Sequence, residues 1–146
     1  MLLLHITPLE GEHKGETLEV AYDPEKLVLD RAIVWQRQPN KGPGDLTFER
    51  AEAAHISIEL LWEAMASGPI QPDIDKLQRF ANVDSVLHRP PKVEVSWGKA
   101  AHAIPNFDGV IESLTIRYFG VADDGTPLHA AADVRLEQAV HLRTAT

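Results

Sequence analysis

Apolar and polar positions alternate with a period of two through most of this chain, and the alternation is clearest in its second half. Val93, Val95 and Trp97 alternate with Glu94 and Ser96, the spacing that sends one row of side chains into a core and the other row out. Arg89-Pro90-Pro91 precedes this run. Its two prolines fix φ and lack N–H groups, so an extended approach is expected there. Gly98 ends the run. After Phe107-Asp108-Gly109, a longer run places Val110, Leu114, Ile116 and Tyr118 on one face and Ser113, Thr115 and Arg117 on the other, with Glu112 as the polar exception. Asp123-Asp124-Gly125-Thr126-Pro127 then supplies a tight hairpin through its Asp-Gly pair. The returning strand puts Leu128, Ala130, Ala132, Val134 and Leu136 inward, against His129, Asp133, Arg135 and Glu137 outward.

The first half reads less evenly. Residues 2–7 and 17–22 form two strands around a turn through Gly11 and Gly15, with Leu18, Val20 and Tyr22 inward. Asp23-Pro24 ends the second, and residues 27–35 carry an irregular mixture whose secondary structure stays open. Residues 36–46 hold Pro39, Asn40, Gly42, Pro43 and Gly44 with almost nothing to bury, so they are expected to form an exposed loop, and loops of this length are often functional. Within residues 48–62, Ile56, Ile58, Leu60 and Trp62 alternate with His55, Ser57, Glu59 and Glu63. After Ser67-Gly68-Pro69 a helix is expected. Pro72 suits its first turn, Asp73 and Asp75 suit the positive end of its dipole, and Ile74, Leu77, Phe80 and Ala81 share one face. Six or more strands with this helix predict a mainly β fold, an antiparallel barrel or sandwich with the helix plugging one opening. Trp35, Trp62 and Trp97 are expected in its core.

Composition narrows the functions available. A chain of 146 residues fits one domain, here residues 1–146, and can bury roughly 70% of its unfolded surface. The absence of cysteine excludes disulfides and thiolate metal sites, in keeping with assembly in a reducing cytoplasm. A formal charge of -8 argues against a nucleic-acid partner, which would need clustered Lys and Arg. The opening Met1-Leu2-Leu3-Leu4 is interrupted by His5, Pro8, Glu10 and Glu12 too early for a signal peptide. No window approaches the ~18 apolar residues of a membrane span.

Candidate chemistry is sparse. His5, His13, His55, His88, His102, His129 and His141 include no pair three or four residues apart, so neither zinc nor any other cofactor is expected. The acidic pairs Asp73/Asp75 and Asp123/Asp124 suit a helix start and a hairpin tip. Ser57, Ser96 and Ser113 lie on strands without a nucleophile elbow, and no glycine cluster resembles a phosphate loop. An enzyme is not expected. Glu112 has two readings. It sits either at a rim or bulge with its carboxylate in water, or at a subunit boundary, paired with Arg79, Arg89 or Arg117 of a neighbour.

The series Arg89-Pro90-Pro91, Val95-Ser96-Trp97-Gly98, residues 107–114 and Asp124-Gly125-Thr126-Pro127-Leu128-His129-Ala130, with Val20-Ala21-Tyr22-Asp23-Pro24 upstream, resembles the tube-domain family of contractile injection systems. No single motif is specific; their order and spacing carry the likeness. The resemblance implies a tube-protein fold in which six protomers form a ring around a lumen. It also implies assembly with the spike protein and inner-tube protein of a phage-tail-like particle, built in the cytoplasm and in some cases released. The implied role is that of a tube initiator, an adaptor ring between the trimeric spike and the inner tube. A bulk inner-tube protomer is the alternative. Family members usually carry a LysM module, which these residues lack, so anchoring on peptidoglycan is not carried over. Gln36, Arg37, Gln38, Asn40 and Lys41 are expected to contact the adjoining ring, and Glu112, Arg89 and Arg117 to supply charge between subunits. A monomeric β-barrel binding a small ligand is the rival from another class. It is disfavoured by inward residues large enough to fill a small barrel, among them Trp62, Trp97, Leu114 and Tyr118.

Overall fold

Alternation becomes strand wherever one row of side chains has a core to enter. The computed structural model describes residues 2–37, 42–139 and 142–143. β1 (Leu3–Pro8) and β2 (Leu18–Tyr22) pair antiparallel, with Leu4 opposite Val20 and Ile6 opposite Leu18, and all four side chains are buried. A 3-10 turn at Pro24–Lys26 follows, capped by Asp23 accepting from the N–H of Glu25 at 2.9 Å. The segment whose structure the sequence left open then forms β3 (Val28–Asp30) and β4 (Ile33–Arg37). β5 (Leu46–Ala51), β6 (His55–Glu63), the short α1 (Ala64–Ser67) and α2 (Gln71–Ala81) come next. β7 (Val93–Ser96), β8 (Phe107–Val121) and β9 (Pro127–Gln138) complete the order.

Seven strands make one sheet, in the order β2-β1-β7-β8-β9-β6-β3, and a further pairing of β2 with β6 closes it on itself. β6 divides one of its edges between two partners. Leu60 and Leu61 face Tyr22 and Ala21 of β2, while His55, Ile56 and Ser57 face β3. The remaining strands, β4 and β5, form a separate two-stranded sheet.

Inside the closed sheet lies one core, built from Leu4, Ile6, Ile56, Ile58, Leu60, Trp62, Val93, Val95, Val134 and Leu136 together with α2. The helix matches its expected pattern, with Pro72 in the first turn and Ile74, Leu77 and Phe80 buried on one face. The interior is therefore filled by side chains.

Two inward rows differ from the sequence pattern. In β8 the inward residues are Phe107, Gly109 and Ile111, then Leu114 and Ile116. A bulge between Ile111 and Ser113 switches the parity, because the extra residue opposes nothing on the partner strand. Val110 consequently falls out of the inner row, and Tyr118 and Leu128 are exposed. Among the tryptophans, Trp62 is buried and Trp97 half-buried, but Trp35 is 53% exposed on β4. Residues 36–46 are not one loop. Gln36 and Arg37 belong to β4 and Leu46 begins β5.

Gly109 has a packing reason. A Cβ there would meet the backbone oxygen of Glu137 on β9 at 2.1 Å, so no other residue permits this approach of the two strands.

Carboxylates pin the turn after β1 to the segment before β7. Glu10 accepts from the Arg89 guanidinium and, at 3.0 Å, from the N–H of Lys92. The Arg89 hydrogen bond is the larger cause that holds Glu10 below the usual carboxylate range, against the opposing pull of partial burial. Asp84 accepts backbone N–H bonds from Glu12, Val86 and Leu87. Burial pushes its carboxyl up, but the three bonds together hold it below its ordinary value. Gly11 turns against Asp84 with φ +86°, in the region that favours glycine.

This packing sets two expected outcomes. Replacing the fully buried Phe80 by Ala should cost about 3–5 kcal/mol in denaturant unfolding, through lost transfer energy and the cavity left behind. The depressed carboxyls of Glu10 and Asp84 mean that the unfolded chain binds protons more readily than the folded one. Their contribution should be fully present above their ordinary values of 4.5 and 3.8 and fade as pH falls below them. Glu10→Gln should flatten that acid limb in thermal melts taken from pH 6 downward, measured against wild type.

Candidate assembly site

β4 and β5 form a hairpin that packs chiefly on itself. Trp35 opposes Phe48 and Arg37 opposes Leu46, and a register shift between Val34 and Trp35 sets Ile33 opposite Ala51. One face of the hairpin therefore carries Ile33, Trp35, Leu46 and Phe48, each about half exposed, at 47%, 53%, 53% and 54%. The rings of Trp35 and Phe48 meet edge to face, with centroids 5.5 Å apart. Arg50 pairs with Glu49 and Glu52 at 2.9 and 3.0 Å. An isolated two-stranded hairpin is marginal in water, and four large apolar side chains on a single exposed face mark an interaction surface.

A second feature is a strand edge. β8 pairs with β9 along nearly its whole length, but β7 covers its other side only from Phe107 to Gly109. Beyond Gly109 no strand among the described residues pairs with that side. α2 runs beside it, with Gln71 accepting from the Tyr118 hydroxyl at 3.0 Å. An unpaired backbone edge is a template for another strand.

A third feature lies at the far end of β6 from the hairpin. A groove of about 530 Å³ is lined by residues from β1, β2, the end of β6, α1 and the start of β9, Trp62, Glu63 and Asp73 among them. Trp62 is 5% exposed, and its indole N–H has no acceptor among the described residues. Burial raises the Asp73 carboxyl above its usual range, partly offset by Lys76. Phe119 stacks on His129 at its edge, with centroids 5.6 Å apart.

The outward face of β6, β8 and β9 is a web of ion pairs. Glu59, 7% exposed, takes Lys26 and Arg117, each at 3.1 Å, and Arg117 also bonds Asp133. Arg135 bonds Glu112 at 2.6 Å, Ser57 at 3.1 Å and Asp30 at 3.5 Å. The three residues expected to supply charge between subunits each have a partner in their own chain: Arg89 has Glu10, Arg117 has Glu59 and Asp133, and Glu112 has Arg135. Glu112 sits at the β8 bulge, exposed, with its carboxylate on the Arg135 guanidinium and not free in water. Of the residues expected to contact an adjoining ring, Gln36 and Arg37 end β4, while Gln38, Asn40 and Lys41 lie outside the described residues.

Dispersed histidine spacing hid one cluster, His55, Glu112 and Glu137, which strand pairing alone brings together. Nδ1 of His55 lies 3.3 Å from Glu112 and Nε2 lies 3.9 Å from Glu137. The imidazole thus stands between the two carboxylates, each nitrogen toward a different one, and Glu112 is already neutralised by Arg135. One ligand atom from each of the three residues lies within 4.8 Å of the others, while the Arg135 guanidinium holds Glu112 at 2.6 Å.

The free edge, the projecting apolar hairpin and the ion-paired face describe a surface for assembly. No helix of the described residues is long and apolar enough to cross a membrane. No curated protein matches the chain. A family model described as contractile injection system tube protein matches residues 2–146, and with essentially the whole chain covered, the protein belongs to this family of structural tube components, which are not enzymes.

Proposed function

We propose that this chain assembles into a ring of six like subunits that forms part of the tube of a contractile injection system, with β8 meeting the neighbour within the ring and the β4–β5 hairpin reaching the adjoining ring. The observation that carries this reading is the hairpin: four large apolar side chains stay about half exposed on an element that, among the described residues, packs chiefly on itself. An element so built is covered by another copy or another component of the same particle. The β8 edge supports the lateral contact, because a sheet continued from subunit to subunit satisfies edge groups that would otherwise invite aggregation. The regular stretch between the register shifts, Ser113 to Tyr118, is where such pairing meets no bulge. Arg117 lies on this stretch, its guanidinium already bonded to Glu59 and Asp133 of its own chain.

Two positions in the particle use the same surfaces, the body of the inner tube and the adaptor ring between spike and tube. Both need the lateral edge, so copy number separates them: an adaptor is present as a single ring per particle, a tube protein as many.

Thr115→Lys combined with Val121→Lys tests the lateral contact, since both positions are exposed on β8 and lysine on an edge opposes pairing. The variant should melt within a degree or two of wild type and lose ring formation in negative-stain electron microscopy. Rings of unchanged size from this variant would remove β8 from the contact.

A further inference from the structure

The hairpin and the groove occupy opposite ends of one strand. β5 runs into β6 through residues 52–54, so the hairpin projects from the His55 end, whereas Leu61, Trp62 and Glu63 bring the other end into the groove. At about 3.3 Å per residue, the two lie roughly 27 Å apart. Surfaces at opposite ends of one subunit, if complementary, join copies head to tail in an open stack and not in a closed pair.

Their chemistry is complementary. The hairpin offers two aromatic rings and, on the same face, Arg37, which has no ion-pair partner among the described residues. The groove offers an apolar wall with the carboxylates of Glu63 and Asp73. Its volume lies in the range of about 300–1,000 Å³ typical of ligand sites, enough for a pair of aromatic side chains. Trp62 on its wall is 5% exposed, with no acceptor for the indole N–H among the described residues, a costly state for a buried donor. The Asp73 carboxylate has no hydrogen-bond donor among the described residues and is desolvated enough to be raised. A guanidinium entering beside it would stabilise its charged form.

We propose that the β4–β5 hairpin of one copy seats in the groove of a second copy, Trp35 and Phe48 against its apolar wall and Arg37 beside Asp73 and Glu63. This rests on the tube reading and gives the axial contact a receiving surface. A subunit with both surfaces can extend a stack of its own kind, which favours the tube body over the adaptor position. A small apolar ligand is the other occupant such a groove could take.

The absence of cysteine makes site-directed disulfides clean. Leu46→Cys on the hairpin face and Ser67→Cys at the groove, combined in one full-length chain and oxidised at high protein concentration, should give a ladder of dimers, trimers and longer species on non-reducing gels. Each single variant should give dimers at most. Arg37→Glu should abolish the ladder and Asp73→Arg should restore it in that background, while Trp35→Ala should abolish it with the monomer's melting temperature unchanged, since Trp35 is exposed. Rings or tubes seen by electron microscopy without a ladder would overturn this docking and leave the tube reading standing. Loss of all self-association in the wild-type chain would overturn both. A ladder indifferent to Arg37→Glu and Trp35→Ala would mark random collision, and would overturn the docking as surely as a groove that retains a small ligand and never cross-links.

Discussion

The contact on which the rest of this structure depends is the short pairing of β2 with β6, Ala21 opposite Leu61 and Tyr22 opposite Leu60. It closes the sheet, so that Leu4, Val20, Ile58 and Val134 face a common interior. It also limits the course of the chain after β2. With the end of β6 taken by β2, only His55 to Ser57 remain for β3, and a strand with three partners cannot carry the chain further round the sheet. β4 and β5 leave this sheet and pair with each other.

Closure is incomplete on the opposite side. β7 is four residues long and β8 fifteen, so β8 outruns its neighbour and α2 takes up the space beside it. The helix supplies the side chains that a missing strand would have supplied to the core, Ile74, Leu77 and Phe80, but it cannot hydrogen-bond to the strand's backbone. A filled core and an unsatisfied edge then coexist in one place, the combination that lets a subunit be stable alone and still take another strand.

How much of this could be read from the sequence depended on whether a segment's burial was decided locally. β1, β2, β6, β7, α2 and β9 beyond Leu128 were legible because each has one face in the core and a pattern that marks it. β8 was legible as a strand but misread in its first part, since a bulge switches parity and leaves no residue signature beyond an out-of-place Glu112. Residues 36–46 misled because proline and glycine mark the turn of a hairpin as readily as a loop. Trp35 misled because large apolar residues are placed inside by default, whereas here the ring waits on the surface. The edge of β8, the groove and the cluster at His55 were invisible, for each is made by pairing between strands distant in the chain.

The bulge at Glu112 has a meaning beyond its effect on pattern. Ile111 faces Leu136 and Ser113 faces Arg135, so the residue between them is surplus to the ladder. Deleting it would leave every other side chain of β8 on its present face. Apart from the lost partner of Arg135, it is the bend that would change, because an extra residue in one strand of a pair curves that strand and tightens its twist. The curvature of the wall is in this way separable from the composition of the core. Gaining or losing this single surface residue would change how the wall curves with no repacking of the interior.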